Sequence, residues 1–141
     1  MQDSVTISSR PLVQSLGLMC ITVVAGMTVR FVPLGLPACI VKYGGSMLWA
    51  LMIYWVATAV LGARPIIAVA LLSGVVCTGV EFLKLYHAPT LDVFRLTVPG
   101  MLLLGRFFSA WDIVAYWVAI AFGAFADIGI RPAERQSSWT G

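Results

Sequence analysis

The chain has 141 residues, of which 60% are hydrophobic and 11% are charged, and its mean hydropathy is +0.96. Soluble domains average about 25% charged residues, so this composition excludes a water-soluble globular protein. The formal net charge of +3 is what basic anchors beside membrane spans produce, and it indicates no nucleic-acid partner. At about 20 residues per spanning helix, the chain accommodates four or five spans. The predicted fold class is all-α, a polytopic transmembrane helical bundle whose first partner is the lipid bilayer.

The first predicted helix runs from about Leu12 to Val32, before a segment broken by Pro33 and Pro37. Its apolar run is longer than the core of a signal peptide and no A-x-A pattern follows, so we expect it to remain as a span. Three segments are predicted: an N-terminal segment at 1–11, a single transmembrane helical domain at 12–130, and a disordered polar tail at 131–141.

The second helix is predicted to begin at Ser46, a possible N-cap after two glycines, and to end near Gly62. Pro65 suits the first position of the third helix, which is predicted to end near Leu85.

A fourth helix is predicted from about Leu91 to Phe107, with a kink at Pro99. The fifth runs from about Ser109 to Ile130, and its start resembles a capping box in which Asp112 takes the usual Glu position.

Polar residues concentrate in one window, residues 81–112, of an otherwise apolar chain. Ionisable side chains at membrane depth are costly and tend to be paired or functional. Helical spacing aligns several of them on the inward faces of the third, fourth and fifth helices. We therefore predict a ligand-binding or ion-pair network of Glu81, Asp92, Arg95, Asp112 and Arg106.

Structural roles compete with that interpretation. Asp92 and Asp112 lie in the first turn of their helices, where the macrodipole favours a carboxylate, and Arg106 can snorkel to headgroups. For Glu81 and Arg95, which are predicted to lie deeper and to face protein, both interpretations stay open.

Two smaller groups complete the predicted sites. Basic and aromatic residues beside the glycine pair are possible headgroup contacts, or alternatively plain topology determinants: Arg30, Lys42 and Tyr43. Small residues on helix faces are predicted to allow close helix packing: Gly74, Ala119 and Gly123.

No catalytic residue, metal site or cofactor is predicted. Cys20 and Cys77 lie within predicted spans, without a histidine or second cysteine at metal spacing. The single histidine, His87, falls in a turn, and the chain has no G-x-S-x-G nucleophile motif.

Basic residues suggest an orientation if all five helices cross the membrane. Three would then lie on the N-terminal side (Arg10, Arg64, Arg106) and six on the other side (Arg30, Lys42, Lys84, Arg95, Arg131, Arg135). The positive-inside rule then places the N-terminus outside and the C-terminus in the cytoplasm of a bacterial inner membrane.

Two stretches carry a family resemblance: RFVPLGLP…KYGGSMLWALMIYW and VEFLKLYHAPTLDVFRLT…GMLLLGRFFSAWDIVAYWVAI. Across about residues 30–120 the chain resembles the small bacterial membrane proteins of the domain of unknown function family 2809. It is more loosely similar to the VanZ-like family. The resemblance implies no reaction, and it marks these pattern positions: Glu81, Asp92, Arg95, Gly100, Gly105 and Asp112.

The sequence thus favours a small, non-enzymatic membrane protein. Its polar network would organise the bundle and bind a small polar ligand or a lipid headgroup. One alternative is an accessory subunit of a larger membrane complex, which the small-residue faces would suit. Another is an oligomeric carrier or proton-coupled permease centred on Glu81.

Overall fold

A computed structural model describes residues 12–62 and 64–130; the predicted segments 1–11 and 131–141 lie outside the described residues. The described residues form α-helices and connecting turns, and no strand occurs among them, so the predicted all-α class is confirmed. The helices are α1 (Leu12–Phe31), α2 (Ala38–Leu61), α3 (Ile66–Leu83), α4 (Pro89–Leu96), α5 (Val98–Leu103) and α6 (Ala110–Ile130).

Helices α1, α2, α3 and α6 are each long and apolar enough to cross a membrane. The predicted multi-pass bundle is therefore confirmed, and residues 12–62 and 64–130 contain the lower of the two predicted numbers of spans. The predicted fourth spanning helix, Leu91–Phe107, is wrong, because the structure divides this stretch between the short helices α4 and α5. The predicted orientation, with the N-terminus outside and the C-terminus in the cytoplasm, assumed five crossings and stays a prediction.

The break between α4 and α5 follows from three neighbouring residues. Thr97 has an extended backbone, with φ −77° and ψ 155°, and its hydroxyl accepts a hydrogen bond from the Gly100 amide at 3.1 Å. Pro99 occupies the first turn of α5, where its missing N–H costs nothing, so it starts a new helix and does not kink a continuous one. A Cβ at position 100 would lie 1.9 Å from the Phe94 carbonyl oxygen, so this turn requires glycine.

The start of α2 also differs from the prediction. The helix begins at Ala38, directly after Pro37, and includes Gly44, Gly45 and Ser46. The Ser46 hydroxyl, predicted to cap the helix, instead donates to the Lys42 carbonyl oxygen one turn earlier, at 3.1 Å. In an apolar environment, backbone N–H and C=O groups are stabilised when they form hydrogen bonds within a helix. This stabilisation outweighs the low helix propensity of the two glycines.

The four spans pack as a bundle in which α2 contacts α1, α3 and α6, and α3 also contacts α6. Thr58 reaches Ser15 across the α1–α2 interface, whereas Gly26 approaches Leu48, so these two helices are antiparallel. We call the end where α1 and α3 finish and α2 and α6 begin the Glu81 end. The opposite end is the Asp127 end.

Candidate functional site

Glu81, in the last turn of α3, is completely buried. Its carboxylate accepts hydrogen bonds from the Lys84 ammonium, from the Tyr116 hydroxyl at 2.8 Å and from the Ser109 backbone amide at 2.7 Å. A buried charge is tolerated only when it is paired and hydrogen-bonded, and Glu81 meets both conditions. It therefore joins the end of α3 to the start of α6.

The start of α6 is capped differently from the prediction. In a capping box, the Asp112 side chain would reach back to the amide of Ser109. That amide instead donates to Glu81 from another helix, and the capping-box prediction is wrong. Asp112 is thereby left to face Lys84, whose ammonium lies 3.9 Å from Asp112 Oδ2.

Lys84 connects the two carboxylates, although only 8% of its surface is exposed. Gly105 makes room for it: a Cβ there would lie 2.9 Å from Lys84 Cε, and the backbone φ of +65° also favours glycine. We call these four side chains the Glu81 network: Glu81, Lys84, Asp112 and Tyr116.

Arg95 and Asp92, predicted to share that network, form a separate pair. Arg95 Nη1 donates to Asp92 Oδ1 at 3.0 Å and to the Tyr86 carbonyl oxygen at 2.9 Å, and Nη2 donates to the Leu83 carbonyl oxygen at 2.6 Å. Helix C-termini leave carbonyls without intrahelical partners. Arg95 therefore clamps α4 against the end of α3.

A cavity of about 420 Å³ opens at the Glu81 end. Four cationic side chains are among its lining residues: Arg30, Lys42, Lys84 and Arg106. Asp112 is the carboxylate that lines it, and Ser46, Trp49 and Tyr116 are among its other lining residues. Arg30 and Lys42, predicted as a separate headgroup cluster, thus meet Asp112 and Arg106 of the 81–112 window in one concave surface, which we call the cationic cavity. Tyr43 lies beside Lys42, with the ammonium 5.2 Å from the ring centre.

Charge in the cationic cavity is unbalanced. Lys84 is already paired with Glu81, whereas Arg30, Lys42 and Arg106 are solvent-exposed along the rim. A cleft with low-dielectric walls focuses the field of such charges and attracts ligands of the opposite sign. The arrangement is suited to binding an anion.

The predicted packing residues Gly74, Ala119 and Gly123 are all buried within the bundle. The Trp117 ring covers Gly74 so closely that a Cβ there would lie 2.2 Å from it. Gly123 lies against Leu51 and Tyr54 of α2 in the same way. These small-residue faces serve contacts within the chain, so they do not favour an accessory subunit that would use them to hold a partner.

Two polar positions stood outside the predicted network. Lys84, whose i,i+3 spacing from Glu81 allowed a pair with it in the sequence, is central to the Glu81 network. Asp127 is completely buried in α6 and accepts a hydrogen bond from the Tyr54 hydroxyl at 2.9 Å. The helical stripe that begins at Asp112 and passes through Gly123 reaches Asp127 four residues later, so extending the same spacing would have found it.

The described part of the chain contains no group of three His, Cys, Asp or Glu side chains that could together bind a metal ion. His87 lies exposed in its turn, with Nδ1 3.1 Å from the Leu85 carbonyl oxygen.

Comparison with models of protein families gives a match for this chain. The family model described as "Protein of unknown function (DUF2809)" matches residues 35–120, more than half of the chain, and the protein belongs to this family. The matched region contains the Glu81 network and most of the cationic cavity. No solved structure matches the chain. The looser similarity to the VanZ-like family stays a prediction.

Proposed function

We propose that this DUF2809 protein is a membrane-embedded binding protein whose cationic cavity holds an anionic group of the phosphate type. The observation that carries the proposal is the convergence of four cationic side chains from α1, α2, the end of α3 and the segment after α5 on one cavity. Hydrogen bonds to charged groups contribute about 1.5–3 kcal/mol each, and guanidinium groups suit the geometry of phosphate oxygens.

Ordinary membrane anchoring explains basic residues that point outward to surrounding headgroups. It does not explain why those of α1, α2 and the loop before α6 line a single concave surface. Nor does it explain Lys84, which is buried behind the rim and held by Glu81. The Glu81 network therefore serves as the scaffold, and the rim residues Arg30, Lys42 and Arg106 serve as the contacts to the anion.

The test is a calorimetric titration of the detergent-purified protein with a water-soluble, short-chain phosphatidic acid. We expect Lys42→Gln and Arg106→Gln each to weaken binding about tenfold, since each removes one charged contact. Arg64→Gln is the matched control, because Arg64 is exposed at the Asp127 end. Wild-type affinity in both Lys42→Gln and Arg106→Gln would refute an anion site at the cationic cavity. A loss of affinity in Arg64→Gln as large as in those two variants would refute it as well.

A further inference from the structure

A second cavity, of about 320 Å³, adjoins the cationic cavity. It lies between α1, α2 and α5, and its walls are mostly apolar: Val23, Met27, Leu48, Met52, Leu102 and Leu103. We call it the apolar groove. Arg30, Gly45, Trp49, Leu102 and Leu103 line both cavities, so the two surfaces are continuous.

We propose that the occupant of these joined surfaces is a membrane lipid with an anionic phosphate headgroup. The headgroup lies in the cationic cavity and one acyl chain lies in the apolar groove. This inference rests on the function proposed above and names the source of the anion: a lipid of the surrounding bilayer and not a soluble metabolite.

Charge and polarity change together along the joined surface. One end carries Lys42, Lys84 and Arg106, whereas the groove at the other end carries a single cation, Arg30, at the junction. A phospholipid has the same sequence of properties, from charged phosphate to hydrocarbon. A soluble anion would match the cationic cavity alone, whereas a phospholipid matches both surfaces at once.

Trp49 marks the boundary between the two surfaces. Its indole N–H is buried and has no hydrogen-bond partner among the described residues, although Trp49 lines both cavities. Buried tryptophan N–H groups usually find an acceptor, and tryptophan is enriched where one side is apolar and the other polar. The place of Trp49 at the junction matches the depth at which the polar ester region of a lipid meets its hydrocarbon chains.

The test compares three probes on the protein in a mild maltoside detergent, by native mass spectrometry for lipids and by calorimetry for the soluble probe. Dioleoyl phosphatidic acid has both parts of the proposed ligand. Glycerol 3-phosphate has the phosphate without acyl chains, and dioleoyl phosphatidylcholine has the same chains with a zwitterionic headgroup. We expect phosphatidic acid to bind at least about tenfold more tightly than either of the others, because it alone has both the anionic headgroup and the acyl chains; tenfold corresponds to about 1.4 kcal/mol.

A matched pair of variants isolates the apolar groove. Val23 lines the groove, whereas its neighbour Val24 is outside the lining and 64% exposed. Both lie on exposed positions of α1, so a larger side chain is compatible with folding at either site. We expect Val23→Trp to weaken phosphatidic acid binding about tenfold and Val24→Trp to leave it unchanged.

The outcomes separate the two proposals. If glycerol 3-phosphate binds as tightly as phosphatidic acid and Val23→Trp has no effect, the lipid inference is overturned while the anion site stands. If phosphatidylcholine binds as tightly as phosphatidic acid and Lys42→Gln has no effect, the anion site itself is overturned.

Discussion

The two ends of the bundle bury carboxylates in different ways. At the Glu81 end, Glu81 and Asp112 share Lys84 and border an open cavity with exposed cations on its rim. At the Asp127 end, Asp127 accepts a hydrogen bond from Tyr54, and neither residue has any exposed surface.

Further polar side chains near the Asp127 end are also buried. Ser15 and Thr58 are buried and linked at 3.3 Å, and the connection from α2 to α3 spans only the few residues between Leu61 and Ile66. The connection from α3 to α6, at the Glu81 end, instead runs from Leu83 to Ala110 and folds into α4 and α5, which supply part of the cavity wall.

The difference shows that burial of a carboxylate does not by itself identify a binding site in a membrane protein. Both ends satisfy the requirement that intramembrane charges be paired or hydrogen-bonded. Among the described residues, the Glu81 end combines that scaffold with exposed cations around a cavity. We therefore interpret the Asp127 contact as a fastening of α2 to α6, and the Glu81 end as the site of the binding proposed above.

The largest expected effect comes from breaking the Glu81 network. Glu81→Leu leaves the Lys84 ammonium buried without its carboxylate, and removes the acceptor of the Ser109 amide and the Tyr116 hydroxyl. Removing one partner of a buried ion pair costs about 3–5 kcal/mol. We expect a loss of that size in the free energy of unfolding, measured by reversible unfolding in mixed micelles.

The double variant Glu81→Leu with Lys84→Met is the control. Apolar replacement of both members of a buried pair is often nearly neutral, so it should recover a large part of the loss. A double variant as unstable as the sum of the two single variants would argue against the pairing.

Sequence spacing predicted much of the fold, for a physical reason. Long apolar runs have one low-energy form in a bilayer, so α1, α3 and α6 were found close to their observed bounds. The region around Pro99 was misassigned as a span, because its apolar residues resemble one by composition. The local hydrogen bond from Gly100 to Thr97, which breaks that helix, is set by geometry and not by hydropathy.

The candidate site was predictable only in part. The 81–112 window contains Glu81 and Asp112, which the structure brings together through Lys84, but spacing along one helix cannot assign partners between helices. Whether Arg95 contacts Glu81 or the carbonyls at the end of α3 depends on where α4 lies relative to α3. The position of α4 depends in turn on the break between α4 and α5, which was not predicted. The meeting of Arg30 and Lys42 with Arg106 likewise required the bundle arrangement.

A pair of matched tyrosine variants gives a smaller effect and sharpens the comparison. Tyr54→Phe and Tyr116→Phe each remove one hydroxyl that donates to a buried carboxylate, so each should cost about 1–3 kcal/mol in the free energy of unfolding. Only Tyr116 is among the residues that line the cationic cavity. We expect Tyr116→Phe to lower phosphatidic acid affinity and Tyr54→Phe to leave it unchanged, both measured by native mass spectrometry. An equal loss of affinity in the two variants would show that the ends are coupled and not separate.

The smallest expected effect concerns the Asp92–Arg95 pair, which lies beside the Glu81 end without joining its network. The Asp92 side chain is 44% exposed, and exposed ion pairs contribute only about 0.2–1 kcal/mol. A double-mutant cycle of Asp92→Asn and Arg95→Met should therefore give a coupling free energy in that range, reduced by added salt. Arg95→Met alone should cost more than Asp92→Asn, because it also removes the donor to the Leu83 and Tyr86 carbonyls.

A coupling free energy above about 2 kcal/mol would contradict this account of the Asp92–Arg95 pair, since solvent weakens a half-exposed pair below that value. The comparison with the Glu81–Lys84 pair is the informative one, because both pairs have i,i+3 spacing and the same charges. Spacing and charge alone would give them equal strength. A strong Glu81–Lys84 coupling beside a weak Asp92–Arg95 coupling would show that burial by α6 and Gly105 makes the first pair a scaffold, and that the guanidinium of the second acts mainly on backbone carbonyls.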